Sequence, residues 1–337
     1  MGRADIAVKN WLGDRERFAD LFNGTIFGGK QIILPEELED MDRETDIIIT
    51  DKEQKERGVQ RFRDLVKLWN RDIFLVVLAC EIQDKKHYAM PVRNMLQDSL
   101  SYMDQIRGLW RRRRSGKVQD QSAEDSAKEA GYKGLQRLSA EEYLSRFRKD
   151  DRISPVITLV FYYDVKKWDG AADLYDMFGL DKLPAKEKTA VESFIPNYKI
   201  NLIDAGNIDD ITRFHTDLQQ VFGMLKYREE KEKLQRYMQE NRDYFGQVDV
   251  ETYQALGAFL HSEKKLKEIV EHGEEEQIDM CKALDDIYAD GEKAGRSQEK
   301  LIIITRMIKE GMSASVIRKC TEATDQEIEQ ARDQLTK

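Results

Sequence analysis

Cysteine, histidine and proline are all scarce in this chain. Among 337 residues there are three, four and five of them. Cys80, Cys281 and Cys320 are scattered without a CxxC pair, which excludes a cysteine-based zinc site and suits a reducing compartment. His87, His215, His261 and His272 form neither HExxH nor an i, i+4 pair, and read as ordinary polar residues. No apolar run approaches the ~20 residues that cross a bilayer. The opening MGRADIAVKNWLGDRERF has no apolar signal core, and Ile6 breaks the myristoylation pattern, so a cytoplasmic protein is expected. Net positive charge is missing as well. The formal charge of −9 argues against indiscriminate coating of nucleic acid, but not against a local basic surface around an acidic centre.

What is present is a polar but globular composition, 40% hydrophobic and 35% charged, long enough for about two domains. Trp11, Phe18, Phe22 and Ile26 are spaced as the apolar face of an opening helix, which FNGTIFGGK breaks. KQIILP reads as a short strand closed by Pro35, and TDIIIT as a second. VQRFRDLVKLW and IFLVVLACEIQ, separated by NRD, read as an antiparallel hairpin whose second member is apolar on both faces, as a central strand is. After Pro91, Val92, Met95, Leu96, Leu100, Met103 and Ile106 mark a helix that runs into WRRRR. VQDQSAEDSAKEAGYKG is then a loop or insert. Ser139 and Glu142 form a capping box, and SPVITLVFYY is a buried strand. Helix, strands, helix, strand is the order of an α/β domain around one central sheet. Beyond about residue 208 the chain reads as charged helices. It ends in a helix, a GMS break, a short helix and a last helix capped by Thr324 and Glu327. Three regions are expected: 1–207, 208–290 and 291–337.

The chemistry-bearing residues sit where the buried strand ends. Glu81 and Gln83 share one strand face by period two, and an antiparallel partner brings Asp64 beside them. Two converging carboxylates repel unless one is protonated or a cation joins them. Mg²⁺ is the natural hard cation for such an oxygen site, with Mn²⁺ or Ca²⁺ as alternatives. A metal there polarises a phosphate and lowers the pKa of an attacking water.

Asp64 followed by Glu81-x-Gln83 resembles the D…(D/E)-x-K core of the PD-(D/E)XK nuclease superfamily, with Gln in the Lys position. RFADLFN (17–23), VQRFRDLVKL (59–68), EIQDKKHYAMPVRNMLQDSLSYMDQI (81–106) and SPVITLVFYYDVKKWDG (154–170) are similar, in order, to its recombination-promoting nuclease or transposase-like branch, which carries E-x-Q. The resemblance spans roughly residues 9–225. It implies a restriction-endonuclease-like core, a central mixed sheet flanked by helices, followed by a helical carboxy-terminal region. It also implies metal-dependent DNA endonuclease activity, with DNA as the partner. Carried over, Asp64 and Glu81 hold the metal, Gln83 orients water or phosphate, Asp20 on the first helix is a further metal-ligand candidate, and Arg93 meets a phosphate oxygen. The departure at Gln83 matters, because an amide hydrogen-bonds but supplies no charge. The alternative is a nuclease-fold protein that binds DNA or regulates without cutting.

Plainer readings stand beside these. E-x-Q alone is a strand leaving the core through polar residues, and Asp64 alone is an edge acid paired with Arg61 or Arg63. Asp20 reads as a helix-surface acid, and Asn23 as part of the helix end. Arg111, Arg112, Arg113 and Arg114 either follow a DNA backbone or are a solvated helix end meeting the dipole. Trp168 and Gly170 read as turn and packing residues. The terminal helices have helix-turn-helix rhythm, but DQEIEQARDQL is acidic where a DNA reader needs cations, so self-association as a homo-oligomer or regulation is expected of them.

Overall fold

A computed structural model of the chain describes residues 3–41, 44–50, 56–71, 74–114, 138–260 and 277–336. The insert expected over 118–134, His261 and His272 lie outside the described residues. The opening helix is two helices: α1 (Arg3–Gly13) and α2 (Arg15–Ile26). Asp14 separates them by accepting from the Glu16 and Arg17 amides, an N-cap in the middle of the apolar stripe. Gly28 and Gly29 follow α2 with φ of 62° and 89°, left-handed values that stop the chain from continuing as helix. KQIILP is not a strand. Its role passes to β1 (Leu38–Asp40), which comes after a 3-10 turn at Pro35–Glu37. Asn23 holds the intervening segment to α2: its Oδ1 accepts from the Ile32 and Ile33 amides, and its Nδ2 donates to Ile33 O.

β2 (Glu44–Thr50) and β3 (Glu56–Phe62) form a separate two-stranded ribbon. The expected hairpin is β4 (Leu65–Arg71) with β5 (Phe74–Gln83), starting later than the VQRF run, because residues 59–62 belong to β3. α3 (Met90–Arg114), α4 (Ala140–Ser145), β6 (Val156–Tyr162), α5 (Leu174–Phe178), α6 (Ala185–Glu192), β7 (Asn201–Asp204) and α7 (Leu218–Tyr227) complete the first layer set. The main sheet has the order β1-β4-β5-β6-β7. It is antiparallel from β1 to β5 and parallel from β5 to β7, so it is mixed, with β5 at its centre.

Its two faces differ. Cys80 and Ile82 of β5, with Leu159 and Phe161 of β6, turn to an apolar core that holds Trp11, Phe18, Phe22, Phe222 and Phe259. Phe161 lies 6.0 Å, ring to ring, from both Phe222 and Phe259. Each such fully buried side chain contributes about 1.5–3 kcal/mol. The opposite face, with Val66, Val77, Ala79 and Val160, also carries Glu81. α3 packs on the sheet with a polar side inward. Of the six apolar-period residues, Val92, Leu96 and Met103 are exposed and Met95, Leu100 and Ile106 half-buried, whereas Asn94, Gln97 and Asp98 are buried.

The chain divides into two compact units, residues 1–237 with 254–261, and 238–253 with 262–337. The first contains the sheet and continues past residue 207. The second contains a small ribbon, Val248–Asp249 with Gln277–Ile278, and the last three helices, Met280–Lys309, Ala314–Thr321 and Asp325–Thr336. Ile304, Ile317, Ile328 and Ala331 form its terminal core. The capping boxes at Ser139 and Thr324 are both present. No helix among the described residues is long and apolar enough to cross a membrane.

Candidate functional site

The register of the hairpin, Leu65 opposite Cys80, puts Asp64 across from Glu81 at the open end of β4 and β5. Asp64 is fixed there by its Oδ2, which accepts from the Ile82 amide at 2.7 Å. Glu81 is fully buried on the face under α3, and neither of its carboxylate oxygens has a hydrogen-bond partner. Burial and then the Asp64 charge push its pKa up to about 7, against the opposing pull of Arg63, Arg93 and Gln97. Arg93 Nη2 stands 3.5 Å from Glu81 Oε2, near the limit of contact. Gln83 follows on the same face, half-buried, while its backbone oxygen accepts from the Tyr163 amide. On the other face Cys80 is fully buried, and its thiol is pushed well up by burial and by the Asp64 and Glu81 charges, so it is no nucleophile.

α1 adds a cation. Lys9 Nζ is 2.7 Å from Asp64 Oδ1 and 3.0 Å from Asp5 Oδ2, with its side chain only 6% exposed. Burial pulls the Lys9 pKa down, but hydrogen bonds and charge from Asp64 and Asp5 outweigh it, and the net shift is upward. Lys9 is buried with its neighbours Val8, Trp11 and Leu12, and only the fold shows the acids that hold it there. A second group went unread. Arg63 donates to Asp98 Oδ1 at 2.9 Å and to Thr158 Oγ1 at 2.8 Å, and Tyr198 also donates to Asp98. This buried network ties the segment before β4 to α3 and β6, and so sets the distance between hairpin and helix. The reading of Arg63 as the partner of Asp64 gives way to this one, since its guanidinium is used on Asp98 and Thr158.

The remaining candidates are placed elsewhere. Asp20, 2% exposed on α2, uses Oδ2 to accept from the His215 amide, the Thr216 amide and the Thr216 hydroxyl at 2.7–2.8 Å. It anchors the segment leading into α7. Among the described residues no group of three or more His, Cys, Asp or Glu is placed to hold a metal, so Asp20 does not join Asp64 and Glu81. Arg113 forms a two-pronged ion pair with Asp151, while Arg111 is exposed. The side chains of Arg112 and Arg114 lie outside the described residues. Trp168 donates from Nε1 to Gly170 O and packs edge-on against Tyr162, a turn-and-packing role.

The residues present fit a hard divalent cation in one respect: a buried carboxylate without a hydrogen bond, its one cation Arg93 3.5 Å away, faces a second carboxylate across the strand pair. Burial first, and then the Asp64 charge, disfavour an ionised Glu81, the direction a bound cation reverses.

Residues 138–254 match the family described as "Putative transposase, YhgA-like". The transposase-like part of the resemblance is thus borne out over about a third of the chain, a segment that begins after Asp64, Glu81 and Gln83. Neither a curated protein nor a solved structure matches the chain significantly.

Proposed function

We propose, on the premise that residues 138–254 carry a transposase-like family match, that the protein is a metal-dependent DNA endonuclease with a PD-(D/E)XK core. Asp64 and Glu81 hold the metal and Gln83 is the third active-site residue. The observation that carries this reading is the pairing of Asp64 with a fully buried Glu81 whose oxygens accept no hydrogen bond. When bound there, Mg²⁺ or Mn²⁺ supplies Lewis acidity and a nucleophilic water at neutral pH.

The chain's own residues do the rest. The Ile82 amide and Lys9 each hold one oxygen of Asp64, which fixes the carboxylate's plane. Gln83 offers an amide to the attacking water or to a phosphate oxygen. Arg93, 35% exposed and reaching toward Glu81, can turn its free side to a phosphate at the mouth of the site. Lys9 also supplies a fixed positive charge near the carboxylates, which the amide of Gln83 does not.

A second reading is a nuclease-fold protein that binds DNA without cutting it. It is favoured by the absence, among the described residues, of a third acid beside Asp64 and Glu81. Cleavage of supercoiled plasmid by the full chain separates the two. Nicking with Mg²⁺ or Mn²⁺, lost in chelator and in Glu81→Ala, is the expected result. Folded wild type that retains DNA but never cuts it, with either metal, refutes the endonuclease.

A further inference from the structure

The inward side of α3 carries polar atoms with nothing to bond. Met90, in its first turn, packs against Val160, the residue that pairs with Glu81 across β5 and β6. Asn94 and Gln97 follow at helical spacing, 0% and 4% exposed. Both polar atoms of Asn94, Oε1 of Gln97 and both carboxylate oxygens of Glu81 lack a hydrogen-bond partner. Nearly all buried polar atoms in proteins are paired, so a group of orphans calls for a guest. Leu or Met at these two helix positions buries similar area without leaving any orphan.

The balance of donors and acceptors decides what the guest is. Glu81 Oε1 and Oε2, Asn94 Oδ1 and Gln97 Oε1 are acceptors, and Asn94 Nδ2 is the single donor among these five; the Gln97 side chain and Arg93 Nη2, 3.5 Å from Glu81 Oε2, are the donors that α3 turns toward the carboxylate. A phosphate oxygen there meets mostly lone pairs. A hydrated divalent cation meets what it needs, since carboxylate and amide oxygens are hard ligands and metal-bound waters donate to acceptors.

We infer that Asn94 and Gln97 are metal-site residues, whose carbonyl oxygens take, directly or through a bound water, the divalent cation held by Glu81. This rests on the endonuclease reading and names the helix that completes its site. It also explains why α3 buries amides and exposes Val92, Leu96 and Met103.

The test is Mn²⁺ affinity of the full chain, followed by the signal of free Mn²⁺, together with thermal unfolding in chelator. Asn94→Leu and Gln97→Met are expected to weaken binding about tenfold, and to unfold in chelator no earlier than wild type. Gln97→Glu is expected to bind Mn²⁺ more tightly and to unfold earlier in chelator, since it adds a carboxylate facing Glu81. If wild type binds, Glu81→Ala does not, and all three α3 variants match wild type, the inference is overturned while the endonuclease reading stands. Wild type that binds no Mn²⁺ overturns both. Should Asn94→Leu fail to fold, Gln97→Glu decides alone: affinity no better than wild type counts against a ligand at that position.

Discussion

Replacing Asp20 separates an anchoring carboxylate from a metal ligand. Its Oδ2 accepts from two backbone amides and one hydroxyl, all at 215–216, and thereby joins α2 to the start of α7. Hydrogen bonds to a charged acceptor contribute about 1.5–3 kcal/mol each. In Asp20→Ala all three are lost, but His215 is exposed and Thr216 half-buried, so water repairs part of the loss. The unpartnered Oδ1 is removed at the same time, which returns some stability. The net cost is about 2–4 kcal/mol, or roughly 4–16 °C in melting temperature for a unit of this size. Asp20→Asn keeps one acceptor and costs about 1 kcal/mol. Urea unfolding followed by tryptophan fluorescence measures both, and Mn²⁺ affinity is measured on the same samples. The reasoning fails if Asp20→Ala unfolds within about 0.5 kcal/mol of wild type. It also fails if Asp20→Asn keeps its stability but loses Mn²⁺, which makes Asp20 a ligand after all.

Two other outcomes follow from ion pairs. Lys9→Met leaves Asp64, 15% exposed, with the Ile82 amide and no cation, and is expected to cost about 2–4 kcal/mol in chelator. Mn²⁺ is expected to restore part of it, and denaturation curves within about 1 kcal/mol of wild type in chelator refute the pairing. Asp151 is pushed up by burial, but the hydrogen bonds of Arg113 and the Arg148 amide, with their charges, bring its pKa below the usual value. A depressed acid stabilises above its unfolded pKa of about 3.9 and loses that contribution as pH falls through the folded value. Protection of the Arg148 amide from exchange is therefore expected to hold at pH 5 and disappear in strong acid. In Arg113→Gln it is expected to be weak already at pH 5, and equal protection in both proteins rejects the ion pair as its cause.

The elements that show plainly in the sequence are those whose environment is uniform. β5 and β6 are long apolar runs because both of their faces are covered, and the capping boxes at Ser139 and Thr324 are local chemistry that needs no tertiary context. α3 shows where a pattern misleads. Half of its apolar period, Val92, Leu96 and Met103, is exposed while Asn94, Gln97 and Asp98 are buried, because the sheet face below presents Glu81 and Thr158 rather than a purely hydrocarbon surface. The break at Asp14 was hidden since the aromatic spacing runs across it, and the four-residue β7 was too short to leave a period. At the site, Asp64, Glu81 and Gln83 were legible as a spacing. Lys9 and Arg63 were not, because their partners lie far along the chain and only the fold brings them together. Asp20 looked like a ligand from its place on a helix, while its donors come from residues 215–216.

The mixed sheet has a kinetic consequence. β4 and β5 are neighbours in the chain, with Arg71 paired to Phe74, so the hairpin that carries Asp64 and Glu81 can form early and locally. The parallel pairing of Val77 with Val156 closes a much longer stretch of chain and bears the larger loop-closure cost. Until it does, one edge of β5, apolar on both sides, stands open to any strand that meets it, including β5 of a neighbouring nascent chain. Expression at low temperature and low protein concentration favours the intramolecular partner, and β6 then caps that edge.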